Sequence, residues 1–357
     1  MVRHFLLLLA VSVTLVACSN NEANNNAAEV SDTTRNTAGV SAQDLSKGEP
    51  VALETVRFDT LRLRLKPNVR LTYRIHMGST MVQDTNEVVK SEDLTVQQDV
   101  TKINSDGNAL LRVLYKSMAV NAKVRNYKTK QIFFETSFNS KNPKDLKDST
   151  KQQFAVMLDT PIDVTVTPKA FMKEITGIDP IAKKIAATGP GGSAGVGQIP
   201  PEQYNQLKEM IKETLVATFL ATTLAPLPDS SLTADGSWMR TQNQSMNPVM
   251  SSKSITKYKV SEVKKINGHR LAFVSGTMDG TVTVTPAPKG SGAPDFKLTT
   301  ASIKGTSTFV VDLDTGVLVS NKGNALSVID GSMIFPGGQP RSILQRQELT
   351  VDTELLP

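Results

Sequence analysis

Cysteine occurs once, tryptophan once and histidine three times among the 357 residues. With a single cysteine no internal disulfide can form, so packing alone must hold the fold, and no thiolate cluster is available for zinc or iron–sulfur binding. Two of the histidines, His76 and His269, lie in the body of the chain, and neither has a second ligand at metal-binding spacing. No metal and no cofactor is therefore expected. Aromatic residues make up only 5% of the chain. A carbohydrate-binding face lined with tryptophan is excluded, because Trp238 stands alone. No apolar run reaches the ~20 residues that a bilayer-spanning helix needs. Neither sign of charge dominates, with 40 basic and 34 acidic residues and a net charge of +6. No nucleic-acid recognition module is present, so nucleic acid is not expected as a partner.

What is present begins at the N-terminus. Arg3 and His4 precede an apolar stretch from Phe5 to Ala17, and a small residue stands just before Cys18. That is the layout of an export signal. The run Leu15-Val16-Ala17-Cys18 resembles a bacterial lipobox. The resemblance implies a lipoprotein signal peptide over residues 1–17, cleavage before Cys18 and acyl chains (palmitate among them) on the Cys18 residue. One acyl chain holds weakly, whereas two or three on one residue anchor a protein effectively permanently. Cys18 is thus the lipid-attachment site, and the membrane is a partner through the N-terminal lipid. Ser19 stands where an aspartate would resemble an inner-membrane retention signal. The expected location is the cell envelope, at the outer membrane.

Residues 18–50 read as a disordered, Asn-rich tether, with Asn20, Asn21, Asn24, Asn25 and Asn26 and no apolar periodicity. From there a period of two takes over. Leu61, Leu63 and Leu65 alternate with Arg62 and Arg64, and Val69, Leu71, Tyr73, Ile75 and Met77 alternate with Arg70, Thr72, Arg74 and His76. Such spacing predicts strands with one wet and one dry face, joined at Pro67-Asn68. Further strands are expected at 94–103, 109–120, 123–127, 131–138, 152–158 and 162–167, and a short helix near Lys169–Ile175.

The plan recurs in the second half. Phe154, Val156, Leu158, Asp159, Thr160, Ile162 and Val164 return as Phe309, Val311, Leu313, Asp314, Thr315, Val317 and Val319. A weaker echo relates Val100, Ile103, Asn104 and Gly107 to Val263, Ile266, Asn267 and Gly268. Two related β-rich lobes follow, residues 51–190 and 228–357. Between them, residues 191–227 hold a Gly-rich loop and a helix starting near Pro201, with Tyr204, Leu207, Ile211 and Leu215 on one stripe. From Leu215 to Leu224 the apolar character spreads all round, which implies burial.

Several short patterns match catalytic motifs and fail on context. Gly191-Gly192-Ser193-Ala194-Gly195 has the nucleophile-elbow spacing but sits in a glycine-rich linker with no strong strand before it. Asp314-Thr315-Gly316 matches an aspartic-protease tripeptide, yet its repeat mate Asp159-Thr160 is followed by Pro161, and a hairpin turn explains it more simply. Ser254-Ile255-Thr256-Lys257 has a Ser-x-x-Lys spacing inside a strand pattern. Asp312-Leu313-Asp314 lacks the run of oxygen ligands of a calcium loop. No catalytic residue is assigned. Two basic groups could form anion-binding patches. Arg62, Arg64, Arg70 and Arg74 share strand faces, and Lys123, Arg125, Lys128, Lys130, Lys141, Lys144, Lys147 and Lys151 cluster along a strand edge. The second group reads either as solvated edge protection or as contact with anionic lipid or glycan.

The lipobox, the Asn-rich tether, Leu65-Lys66-Pro67-Asn68 before Tyr73, Asp235-Gly236-Ser237-Trp238, and the Leu-Asp-Thr closing each lobe together resemble a family of Bacteroidota lipoproteins with duplicated β-rich halves, a domain of unknown function. The resemblance implies no activity and no catalytic residues. The expected fold is mainly β (α+β), with antiparallel sheets in two related lobes, a curved half-barrel and one long connecting helix near 201–224. The analogy is to envelope lipoprotein carriers of the LolA and LolB kind, and fold alone does not fix function. The expected role is non-catalytic binding of a hydrophobic or amphipathic ligand between the β lobes. The alternatives are a scaffold or accessory subunit of an outer-membrane complex, with an envelope protein as partner, and remotely a hydrolase using Ser193 or the Asp159/Asp314 pair.

Overall fold

The structure, a computed structural model, describes residues 39–53, 56, 61–188, 200–228, 233, 235–247, 250–284, 295–334 and 338–357. Within them the chain builds β1 (Glu49–Pro50), β2 (Arg70–Gln83), β3 (Asn86–Ile103), β4 (Ala109–Asn126), β5 (Ile132–Asn139), β6 (Ile162–Val166) and β7 (Met172–Thr176). The second half adds β8 (Ser237–Asn247), β9 (Met250–Ile266), β10 (His269–Val284), β11 (Asp295–Asp312), β12 (Leu318–Ile334) and β13 (Arg341–Leu355). All belong to one 13-stranded sheet in the order β1-β9-β10-β11-β12-β13-β2-β3-β4-β6-β7, with β8 also on β9 and β5 also on β4. The expected lobes are therefore two meanders of a single sheet. The last strand of the second pairs antiparallel with the first strand of the first, from Leu355↔Tyr73 to Gln345↔Gln83.

The alternation read from the sequence sets which side of each strand is dry. Along β9, Ser252, Ser254, Thr256, Tyr258 and Val260 are buried while Lys253, Lys257 and Lys259 are exposed. The turns follow their chemistry. Asn267 and Gly268 both take positive φ, 49° and 85°, the two-residue hairpin that Asn-Gly favours. Asn68 takes φ 65° in the turn after Pro67.

Among the described residues five α-helical pieces lie off the sheet: α1 (Pro143–Lys147), α2 (Gln152–Ala155), α3 (Asp179–Thr188), α4 (Pro201–Met210) and α5 (Thr218–Ala221). The single helix expected near 201–224 is α4 and α5 joined by a wider π-type turn over Ile211–Ala217. Thr218 Oγ1 donates to the Glu213 carbonyl five residues back, 3.2 Å away. Tyr204 and Leu207 are partly buried and Ile211 fully so, as the stripe predicts; the Leu215 side chain lies outside the described set. Phe219 and Leu220 join one core with Tyr73, Ile75, Leu94 and Val96 of the first meander and Val260, Val274, Phe309 and Val311 of the second. The helical segment thus fills the trough of the curved sheet. The two edges curl toward each other: Arg240 on edge strand β8 lies 4.2 Å over the ring of Phe171, next to the other edge strand, β7.

Four local expectations are corrected. The stretch 152–158 is helix α2 and a turn, with Leu158 making an isolated bridge to Tyr115. Gln153 and Ala155 favour helix, whereas the corresponding Thr308 and Val310 favour a strand, so the repeat holds only after its Asp-Thr turn. Residues 169–175 contain strand β7 and no helix, because Met172 pairs with Val166 and Gly177 at φ 80° ends the strand. Leu61–Leu65 is extended and dry on one side but lies outside the ladder, strapped by Leu63 N–H to Pro168 O and Arg64 N–H to Thr315 O, both 2.7 Å. The 18–50 tether lies outside the described residues up to 38. Its remainder packs, with Val40 buried against Ile266, Leu271, Val310 and Val319 and Glu49–Pro50 paired with Lys265–Lys264. The Asn cluster had ended by then, and Val40 and Leu45 supply the apolar side chains.

Candidate functional site

The residues that could carry chemistry are mostly satisfied by neighbours. Asp312 is fully buried, and its carboxylate accepts from His269 Nδ1 at 2.8 Å, Thr315 Oγ1 at 2.8 Å and the Asp314 N–H at 2.8 Å. Asp314 is held by Arg270 through its guanidinium and its N–H. Burial raises the Asp314 carboxyl, and the Arg270 contacts outweigh that to leave it below the usual carboxylate range. Asp159 pairs instead with Lys116 at 2.5 Å. The two aspartates of the repeat thus each serve a different cation, and no shared-proton dyad forms. Ser254 points to the buried side of β9 and Lys257 to the exposed side, which separates the Ser-x-x-Lys pair. Ser193 and Cys18 lie outside the described residues. His76 is paired with Asp93 at 2.7 Å. Among the described residues no three of His, Cys, Asp and Glu gather as a metal site, and no helix is long and apolar enough to cross a membrane.

The arginine group is not a free patch either. Arg70 is bound to Asp99, Arg74 to Glu354, and Arg62 donates to its neighbouring Leu61 carbonyl. In the lysine group, Lys123 pairs with Glu135, Arg125 and Lys130 converge on Glu87, and Lys151 pairs with Asp145. Asp148 accepts from the Thr150 N–H and hydroxyl.

One place does gather unlike chemistry. Where the curling edges meet, a cleft of about 170 Å³ opens between the β6–β7 turn, the end of α5, and strands β8, β9, β11 and β12. Its apolar lining comes from Phe171, Met172, Ala221, Leu224, Tyr258 and Phe309, and its polar lining from Arg240, Gln242, Ser307 and Asn321. Each wall has a local cause. Gly276 on β10 leaves room for the Tyr258 ring, since a Cβ there would overlap the ring edge and Ser307 Oγ. Tyr258 then stacks on Trp238, centroids 5.2 Å apart, and meets Phe309 edge-on at 5.7 Å. Trp238 Nε1 donates to the Pro226 carbonyl at 2.9 Å and ties the strap after α5 to β8. On the opposite wall, Ala170 is held at φ 59°, a conformation that side chains rarely adopt, and this turn presents Phe171 beneath Arg240. Ser307 Oγ is buried with no hydrogen-bond partner, tucked over Gly276 behind this wall.

Only part of this cleft is legible in the sequence. The apolar run at 215–224 supplied Ala221 and Leu224 as expected. Phe171, Arg240 and Ser307 were missed, being far apart in the chain and ordinary in their strands.

Among solved structures the chain is similar to a lipovitellin structure concerned with lipid–protein interactions, at 9% identity and a TM-score of 0.39 over 80% of this chain and 25% of that one. The chain thus spans a quarter of that protein. It is similar also to the COG4313 outer membrane channel from Pseudomonas putida F1, at 7% identity and TM-score 0.18 over 82% and 97% of the two chains. A third likeness is to OccK5 (OpdH) of Pseudomonas aeruginosa, at 8% identity and TM-score 0.19 over 81% and 98%. At these scores none of them carries an argument about function. No curated protein matches the chain. A family model described as a family of unknown function, DUF6263, matches residues 106–318, more than half of the chain.

Proposed function

The chain belongs to the family of unknown function DUF6263, and we propose that it is a non-catalytic envelope lipoprotein that holds an amphipathic ligand in the cleft between the approaching edges of its sheet. The observation that carries this reading is the pairing of an aromatic wall with the Arg240 guanidinium in one opening. Ligand pockets combine apolar walls with a few placed polar groups. An acyl chain would lie on Phe171, Met172, Leu224 and Phe309, and an acidic headgroup would meet Arg240. The small volume takes only part of such a molecule, so the remainder would extend outward from the cleft. In this reading Cys18 anchors the protein at the outer membrane and its envelope supplies the ligand.

The test is native mass spectrometry and lipid extraction of protein purified from its own envelope. The expected result is a bound acidic lipid or fatty acid, lost with Arg240→Ala and with Phe171→Ala, each weakening retention by roughly tenfold. Recovery of ligand-free protein only, from wild type, would overturn the reading. The anchor is checked separately by Cys18→Ser, which is expected to shift the protein from the membrane fraction to the soluble one.

A further inference from the structure

Strand β5 lies on an edge of the sheet, with β4 as its only partner among the described residues. Ten large apolar side chains are conspicuously exposed among the described residues, and five of them, Tyr127, Ile132, Phe133, Phe134 and Leu146, fall within twenty consecutive positions. The same stretch concentrates charge. Residues 123–151 contain eight basic and three acidic side chains, nearly the whole net charge of the chain. Within it Lys128, Lys141, Lys144 and Lys147 are exposed.

We infer that the β4–β5 hairpin and the following helix α1 form a surface that docks on an anionic phospholipid bilayer. Ile132 pairs with Arg125 and Phe134 with Val124, with Phe133 bulged out between them, and because successive residues of β4 point to opposite faces, Ile132 and Phe134 put apolar groups on both sides of the edge. A flat protein partner covers one side only, whereas a tip sunk to the headgroup boundary is covered all round. Aromatic and long basic side chains suit that boundary because each has an apolar body and a polar end. The lysines supply charge complementarity to anionic headgroups, worth about a fivefold gain in binding for each one near the surface. The inference does not depend on the cleft or on Cys18.

The test uses the full chain carrying Phe133→Trp. Trp238, the only native tryptophan, is buried, so the new indole reports the tip alone. On phosphatidylglycerol vesicles with brominated acyl chains its emission is expected to fall at least twofold, and to recover in high salt. A protein held at the vesicle by its own N-terminal lipid gives the same reading, because the probe senses only whether the tip enters. The double variant Lys128→Ala/Lys144→Ala in the Phe133→Trp background is expected to weaken binding roughly 25-fold without changing the thermal melt, since both side chains are exposed. Unquenched emission, equal quenching on neutral phosphatidylcholine, or a dimer or protein complex formed through β5 with no vesicle contact would each overturn the proposal.

Discussion

At the scale of single residues, the constraints that are easiest to test sit in turns and ion pairs. Gly316 takes φ 73°, and a Cβ there would overlap the carbonyl of Arg62 in the strap that crosses the β11–β12 turn. Gly316→Ala is expected to cost at least about 1–2 kcal/mol from the left-handed backbone alone, with the overlap adding to it; an unchanged urea midpoint would sink this account. Glu87 is buried, and Arg125 first and Lys130 next hold its carboxyl below its ordinary value of 4.5 against the opposing effect of burial. Its contribution to stability is therefore present above about pH 4.5 and is lost as pH falls through the lowered value. His76 has the opposite sign. Asp93 raises its pKa above 6.5, so its contribution is present below that pH and fades as pH rises through the raised value. Stability curves against pH should show Glu87→Gln flattening the acid limb and His76→Gln leaving it untouched. The Asn-Gly and Asp-Thr-Gly turns were legible in the sequence because their chemistry is local. Phe171, Arg240 and Ser307 were not, since each becomes unusual only when the sheet curls.

At the scale of elements, period two reported the burial of alternate side chains faithfully and backbone pairing less so. Leu61, Leu63 and Leu65 alternate like a strand because a strap laid across a core also has a dry side. Phe154–Leu158 alternates too, but a run that short does not distinguish a strand from a buried helical turn, and the helix formers Gln152, Gln153 and Ala155 decided it. The apolar segment is buried or partly buried over its described side chains, 216–224, as its composition implies. Its side chains join the core that both meanders share. Phe219 is its centre, fully buried and meeting Tyr115 edge-on with centroids 6.2 Å apart. Below it, Thr223 Oγ1 accepts from Gln98 Nε2 at 2.7 Å and fixes the end of the segment to β3. Phe219→Ala is expected to cost about 3–5 kcal/mol in chemical denaturation while leaving strand content intact by circular dichroism. A loss below 1 kcal/mol would mean that the helical segment is only loosely docked.

At the scale of the whole molecule, the sequence repeat suggested two lobes, and the sheet joins them. A repeat records local similarity of hairpins and is silent on which edges meet. The β13–β2 ladder supplies that link with eleven residue pairs between opposite ends of the chain. The main core likewise mixes both meanders, with Leu349, Val351 and Leu355 of β13 beside Tyr73, Ile75 and Met77 of β2. Neither half can close its own trough, because the first meander would leave the β2 edge bare and the second would leave β13 bare. Unpaired edges of this length invite aggregation. Ladders between such distant segments also form late and slowly. Residues 39–188 and 200–357 expressed separately are therefore expected to be protease-sensitive and to aggregate, whereas refolding them together restores a protected species. Limited proteolysis and light scattering on the separate and mixed halves decide the matter: a cooperative thermal transition from either half alone would show that the lobes are independent domains that merely touch at β13 and β2.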